Sequence, residues 1–168
     1  MDFREWPSTP PPTDELGVVV HGPVVVAATP TTVVGLRCVF AHPGGLLISL
    51  VGRVDTTKAP TRPLSRYETA VKALGDGDGP DMEGLAEPRL LVTMDDVSGP
   101  ARPGGLELST YETSIRMAAE YWIDHLPTDR RVTLLFSWPQ ADVEEVESVL
   151  TLASLDDLAH RTVSLLHP

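Results

Sequence analysis

Residues able to do chemistry are few and widely separated in this sequence of 168 residues. Cys38 is the only cysteine, and no two histidines have the i, i+4 spacing of a helical zinc site. The histidines are His21, His42, His125, His160 and His167. The sequence also lacks the G-x-S-x-G turn of hydrolases and the glycine-rich loops that hold nucleotide phosphates. We therefore predict no catalytic residue, no metal and no cofactor.

One dense group of carboxylates could hold a calcium ion through its oxygens. Its members are Asp76, Asp78, Asp81 and Glu83. The EF-hand pattern is broken, because Pro80 takes the third ligand position and Asp81 takes that of the required glycine. We expect a solvated loop here. Elsewhere, the adjacent Asp95 and Asp96 would point to opposite faces of a strand, which does not favour a paired acid and base.

The charge of the chain disfavours several classes of partner. The formal net charge is −11, and residues 81–168 hold 6 basic and 16 acidic side chains. Such a surface repels nucleic-acid phosphates and anionic lipids, so we predict no nucleic acid and no membrane as partners. The acidity is explained either by solubility or by a docking face for a basic protein.

The sequence also indicates a compartment. Its first residues, M-D-F-R-E-W-P, have no apolar core of the kind found in signal peptides. No apolar run reaches the roughly 18 residues that a transmembrane helix needs. We expect a cytoplasmic protein in which Cys38 is a small buried side chain rather than a reactive thiol.

The elements that must position these side chains are mostly strands. The most regular stretch runs from Ser114 to Pro139, where apolar and polar residues alternate on both sides of a turn with Pro127 and Asp129. The alternating apolar residues are Ile115, Met117, Ala119, Tyr121 and Ile123, then Val132, Leu134, Phe136 and Trp138. A period of two is typical of strands with one buried face. We predict a hairpin here that nucleates the core.

Further strands are predicted at 17–28, 32–41, 46–54 and 89–97. Pro23 interrupts the first, which is an edge strand, a bulged strand or two short strands. The turn-forming sequence from His42 to Gly45 joins the second and third in another hairpin. On the second strand we expect Val34, Leu36, Cys38 and Phe40 to share one face. The run S-G-P-A-R-P-G-G that follows the fourth is expected to be a loop.

The ends of the sequence differ in character from its middle. Residues 1–14 are predicted to be a flexible proline-rich arm, and residues 15–168 a single β-rich domain. Residues 55–88 break the strand pattern and predict either a surface excursion or a lid, with a short helix that Ser65 caps. The segment 143–152 fits a strand or a helical face. Because Ser154 marks a helix start, we favour a strand near 146–152 and a helix from Leu155 to about Leu166.

The predicted fold is mainly β. We expect an antiparallel β-sandwich of about seven strands, with a C-terminal α-helix and a short helix in a mobile excursion.

The aromatic residues supply the candidate contacts. Trp6 lies in the arm before Pro10, Pro11 and Pro12, where its ring would fold back onto the domain, anchor in a partner or remain in a disordered arm. Trp122 follows Tyr121 and therefore faces the opposite side of its strand, where it is either covered or an exposed platform. The candidate partner contacts are Trp6, Pro10, Pro11, Pro12 and Trp122.

Three segments carry a resemblance to known sequences. In order they are V-V-V-A-A-T-P-T-T-V-V-G-L-R-C-V-F-A-H-P-G-G-L-L-I-S-L-V-G-R-V, E-Y-W-I-D-H-L-P and L-L-F-S-W-P. Together they resemble a family of uncharacterised small actinobacterial proteins with a Tyr/Phe-Trp strand, a Leu-Pro turn and a Trp-Pro strand end. The resemblance covers most of 18–168 apart from 55–88. It implies a cytoplasmic protein with this order of strands, and it implies no activity.

These observations favour a non-catalytic role. We expect an interaction or assembly component whose partner is another protein or a second copy of the chain. A small-ligand or carbohydrate binder that uses Trp122 is one alternative, and an enzyme with dispersed acidic residues is another.

Overall fold

The computed structural model describes residues 1–6, 11–58 and 88–166. In this part of the chain thirteen strands are present, so the fold is mainly β as predicted, with more strands than the seven expected. They are β1 (Asp2–Phe3), β2 (Glu15–Leu16), β3 (Val18–His21), β4 (Val24–Ala28), β5 (Thr32–His42), β6 (Gly45–Asp55), β7 (Arg89–Met94), β8 (Val97–Ala101), β9 (Pro103–Thr110), β10 (Ser114–Ile123), β11 (Arg131–Trp138), β12 (Val143–Thr151) and β13 (Val163–Ser164). The short helix predicted after Ser65 and the carboxylates from Asp76 to Glu83 lie outside the described residues.

The strands form three sheets. A five-stranded sheet has the order β1–β8–β7–β11–β12, and a six-stranded sheet has the order β3–β5–β6–β10–β9 with β4 also paired to β5. Strands β2 and β13 form a separate pair. All pairings are antiparallel except that of β1 with β8. Within these residues no helix has the length and apolarity that a membrane span requires.

The predicted hairpin of β5 and β6 is confirmed, and it contains a bulge. Leu36 pairs with Leu50 and Cys38 pairs with Ser49, so Arg37 is the extra residue on β5. A bulge shifts the alternation by one residue, and Val39 rather than Cys38 is buried after it. The expectation that Cys38 and Phe40 share the buried face of Leu36 is therefore wrong.

Strands β10 and β11 exist, but they do not form a hairpin. All nine alternating apolar residues predicted to face the core are at most 1% exposed. β10 pairs with β6 and β9, whereas β11 pairs with β7 and β12, so the segment between them crosses from one sheet to another. The alternation of each strand indicated its buried face correctly. It carried no information about which strand would be its neighbour.

Two strands lie where a loop was expected. Met94 pairs with Val97 across a two-residue turn, so β8 turns back directly onto β7. The glycine in β8 suits this place, because a Cβ on Gly99 would lie 1.5 Å from the carbonyl oxygen of Arg4. Gly99 therefore reflects a close backbone contact within a strand and not a loop.

The C-terminal segment was predicted only in part. The expected strand is present as β12, but the helix is limited to Leu158–Arg161. Thr162 is extended, with φ −73° and ψ 144°, and the backbone N–H of Leu165 donates to the carbonyl of Asp14 at 2.7 Å. Pairing of β13 with β2 thus replaces the longer helix that we expected. Pro23 separates β3 from β4, which is the alternative of two short strands.

The hydrophobic core joins both large sheets. One cluster of buried side chains includes members of β5, β6 and β10 together with members of β7, β11 and β12. Its largest fully buried side chains include Trp6, Trp138, Tyr121 and Phe136. Each buried aromatic or aliphatic side chain stabilises the fold by roughly 1.5–3 kcal/mol relative to an exposed one. At one edge the Ser148 hydroxyl donates to the carbonyl of Val26 at 3.4 Å, which links β12 to β4.

Candidate functional site

Trp6 is part of the core and does not offer an exposed contact. Its side chain is 1% exposed, and its indole N–H donates to the carbonyl of Val92 at 3.2 Å. The guanidinium of Arg4 lies 4.4 Å from the ring centroid and also pairs with Asp124. The His125 ring lies 6.2 Å from the indole on another side. Of the three alternatives predicted for Trp6, the structure shows the one in which the ring folds back onto its own domain.

Backbone bonds fix the same segment. The N–H of Arg4 donates to Ser98 at 3.0 Å, and that of Trp6 donates to Pro100 at 3.1 Å. Residues 1–6 are therefore docked along β8, which corrects the prediction of a free arm for this part of 1–14. Pro11 and Pro12 are half-buried, and Pro10 lies outside the described residues.

Trp122 is also covered. Its side chain is 7% exposed and packs edge-on against His42, with ring centroids 5.6 Å apart. A ring nitrogen of His42 lies 2.8 Å from the Glu15 carboxylate. Gly17 allows this packing, because a Cβ there would lie 2.5 Å from the His42 ring. Of the two alternatives predicted for Trp122, the ring is the covered one.

Asp95 fastens the turn between β7 and β8 to the crossover between the sheets. Its carboxylate accepts the Thr128 hydroxyl at 2.6 Å and the Thr128 backbone N–H at 3.0 Å, and it lies 3.0 Å from the His125 ring. The Thr128 hydroxyl, followed by His125, lowers the pKa of the Asp95 carboxyl from its usual value. Asp95 itself adopts a left-handed conformation with φ 50°. These bonds hold the Asp95 carboxylate against Thr128 and His125 of the crossover.

The Cys38 thiol is half-buried. Burial raises its pKa, which Arg37 lowers to a smaller extent. A thiol with a raised pKa has a small thiolate fraction near neutral pH and is a weak nucleophile. Cys38 therefore lacks the environment of a reactive cysteine.

The exposed feature that we did not predict is an open groove on the outer face of the six-stranded sheet. We call it the arginine groove; its volume is about 880 Å³. Its lining residues are Val33, Gly35, Arg37, Val51, Gly52, Arg53, Tyr111, Glu112, Thr113, Ser114 and Arg116. It thus combines three arginines and one glutamate with an apolar floor. Tyr111, at its rim, is 56% exposed.

Strand pairing brings the three arginines onto one face. Arg53 on β6 pairs directly with Arg116 on β10, and with Val33 on its other side. Arg37 is the residue that the bulge adds to β5, and bulges are known to re-aim a side chain. The next row of the sheet contains Gly35, Val51 and Ala118, which gives the groove its apolar floor between the arginines.

The groove arginines have no carboxylate partner among the residues that the structure describes. Arg4 pairs with Asp124, Lys58 with Asp55 and Arg102 with Glu5, whereas Arg131, like the groove arginines, has no ion pair within the described residues. Like charges that face each other across two strands destabilise a sheet. The opposed Arg53 and Arg116 are therefore a cost to the fold that no internal ion pair offsets in the described structure.

Comparison with known proteins adds no assignment. No protein-family model, curated protein or solved structure matches the chain. Within residues 1–6, 11–58 and 88–166, no three His, Cys, Asp or Glu side chains are grouped so that they could hold a metal ion.

The arginine groove was missed because its residues are far apart in sequence. Arg37, Arg53 and Arg116 each lie on the polar side of an alternating strand, where an exposed charge is ordinary. Only the neighbour order β5–β6–β10 makes them a group. A useful signal would have been that the three central strands each place an arginine, in a chain of net charge −11, on their outward side.

Proposed function

We propose that this protein is a non-catalytic interaction or assembly component that holds another protein against the outer face of its six-stranded sheet. The observation that carries the proposal is the arginine groove. It is open, it mixes guanidinium groups with an apolar floor, and it has an exposed tyrosine at its rim. Arginine and tyrosine are the residue types that are enriched in protein interfaces.

The architecture that we propose is a β-sandwich in which the two large sheets face each other. What supports it is that inward side chains of both sheets belong to one core cluster. In such an arrangement each large sheet has an outer face, and that of the six-stranded sheet contains the groove. A rigid sheet is a suitable base for a binding surface, because it holds the arginines at fixed spacings.

Two alternatives receive less support. A small ligand is usually enclosed by its pocket, whereas the arginine groove is open, and the Trp122 ring on which a carbohydrate would stack is covered. An enzyme would need groups that exchange protons near neutral pH, and guanidinium groups remain charged there. The lining of the groove therefore suits binding better than acid–base catalysis.

Site-specific photo-crosslinking tests the proposal. A photoreactive benzoylphenylalanine replaces Tyr111 in the groove, and in a matched control it replaces Val149, which is 50% exposed on β12. After irradiation of cells that naturally make this chain, we expect a discrete protein adduct at position 111 and none at position 149. An adduct with a second copy of the chain would identify the partner as the protein itself. The absence of an adduct at position 111, or equal adducts at both positions, would refute the proposed interaction face.

A further inference from the structure

We infer that the arginine groove takes an extended acidic segment of the partner, in which two carboxylates lie about four residues apart with an apolar residue midway between them. This inference rests on the proposed function and adds the chemistry of the partner to it.

The charge of the groove defines the sign of the partner. Arg37, Arg53 and Arg116 lack carboxylate partners in the described structure, and each guanidinium presents several N–H donors. A carboxylate placed between Arg53 and Arg116 would accept hydrogen bonds from both and would remove their mutual repulsion. A basic partner would add to that repulsion. The net charge of −11 favours a basic partner for the chain as a whole, whereas the groove favours an acidic one.

The spacing of the arginines defines the length of the segment. Arg53 pairs with Val33 of β5, and Arg37 lies four residues further along that strand. At about 3.3 Å per residue, the two ends of the groove are therefore about 13 Å apart. Two carboxylates at this separation would meet the arginines at both ends without requiring those side chains to bend toward each other. Residues i and i+4 of an extended peptide lie on one face with the same separation.

The floor of the groove defines the residue between the two acids. Gly35 and Val51 pair in the row between the arginine ends, and Gly35 has no side chain to fill the space above it. An apolar side chain at i+2 of the bound segment would lie over this row. Glu112 at the rim and the exposed Glu120 on β10 would repel an acidic segment from the β10 side. The segment is thus placed over β5 and β6, from where one of its carboxylates reaches Arg116 at the neighbouring edge of β10.

Fluorescence anisotropy with three labelled peptides tests the inference. The probe is Gly-Ser-Glu-Thr-Val-Thr-Glu-Ser-Gly, in which the glutamates have the proposed spacing. One control peptide has glutamine at both acidic positions, and the other, Gly-Ser-Thr-Glu-Val-Glu-Thr-Ser-Gly, has the same charge with closer glutamates. We expect the probe to bind in a salt-sensitive manner. Each control peptide should bind at least about fivefold more weakly than the probe.

Arginine variants connect the binding to the groove. Arg53→Gln, Arg116→Gln and Arg37→Gln should each weaken binding of the probe about fivefold. Arg131→Gln should leave it unchanged, because Arg131 is an exposed arginine of β11 that forms no ion pair with another described residue. Urea unfolding of each variant checks that the fold is intact. Equal binding of all three peptides, or equal effects of all four substitutions, would overturn the inference. If Tyr111 still yields a protein adduct in that case, the proposed interaction face stands and only the acidic segment is rejected.

Discussion

Replacing Trp6 by Ala should reveal how strongly the first residues are bound to the domain. The side chain is 1% exposed and belongs to the same core cluster as Val92 and Trp138. Truncation of a buried aromatic residue to Ala costs about 3–5 kcal/mol through lost burial and the cavity that remains. We expect a loss of this size in the free energy of unfolding, measured by urea denaturation. Trp6→Phe keeps most of the volume and loses the bond to the Val92 carbonyl, so it should cost less.

A double-mutant cycle makes this prediction sharper. Gly99→Ala introduces a Cβ 1.5 Å from the carbonyl oxygen of Arg4, so the docked segment must move away. Once the segment has moved, the Trp6 side chain has already lost most of its contacts with the core. The loss of unfolding free energy in the double variant should therefore be smaller than the sum of the losses in the two single variants. Phe3→Ala serves as the control, because Phe3 is 71% exposed. A loss below about 1 kcal/mol for Trp6→Ala, or full additivity with Gly99→Ala, would contradict the docking of residues 1–6.

Three further predictions concern other parts of the fold. Gly45→Ala places a Cβ 2.1 Å from the carbonyl oxygen of Ile123 and should cost about 1–3 kcal/mol in urea denaturation, whereas Gly44→Ala, with its nearest neighbour at 4.0 Å, should be nearly neutral. Asp95→Asn should lower stability at neutral pH, because Thr128 holds the pKa of that carboxyl below its unfolded value of 3.8. This contribution is complete above the unfolded pKa and is lost as the pH falls through the lowered folded pKa, so the difference from the parent should shrink in acid, with Asp96→Asn as the control. Cys38 should react with iodoacetamide more slowly than free cysteine at neutral pH, because burial raises its pKa, and mass spectrometry should show the ordinary rate in denaturant.

Much of the fold follows from local patterns in the sequence. The alternation of β10 and β11 predicted their buried faces, and the turn sequence from His42 to Gly45 predicted the hairpin of β5 and β6. Local patterns failed where a distant partner decided the outcome. From the sequence, Gly99 was assigned to a loop, but it lies in a strand because the Arg4 carbonyl approaches it closely. The C-terminal helix is shorter than predicted because β2 pairs with β13.

The candidate site depended almost wholly on such distant partners. Trp6 and Trp122 were named as candidate contacts from their residue type, and no local pattern shows that the Val92 carbonyl and the His42 ring are their neighbours in the fold. The arginine groove required both the neighbour order of three strands and the bulge at Arg37. A bulge has no sequence mark in this strand, because Arg37 and Cys38 continue an otherwise regular run.

The β2–β13 pair has a consequence for synthesis of the chain on the ribosome. Residues 15–16 obtain their strand partner only when residues 163–164 have been made. At about 5–20 residues per second, that wait is roughly 7 to 30 seconds. Among the pairings of the described residues, this one therefore can form only near the end of synthesis, after the hairpin of β5 and β6 has been available for most of that time.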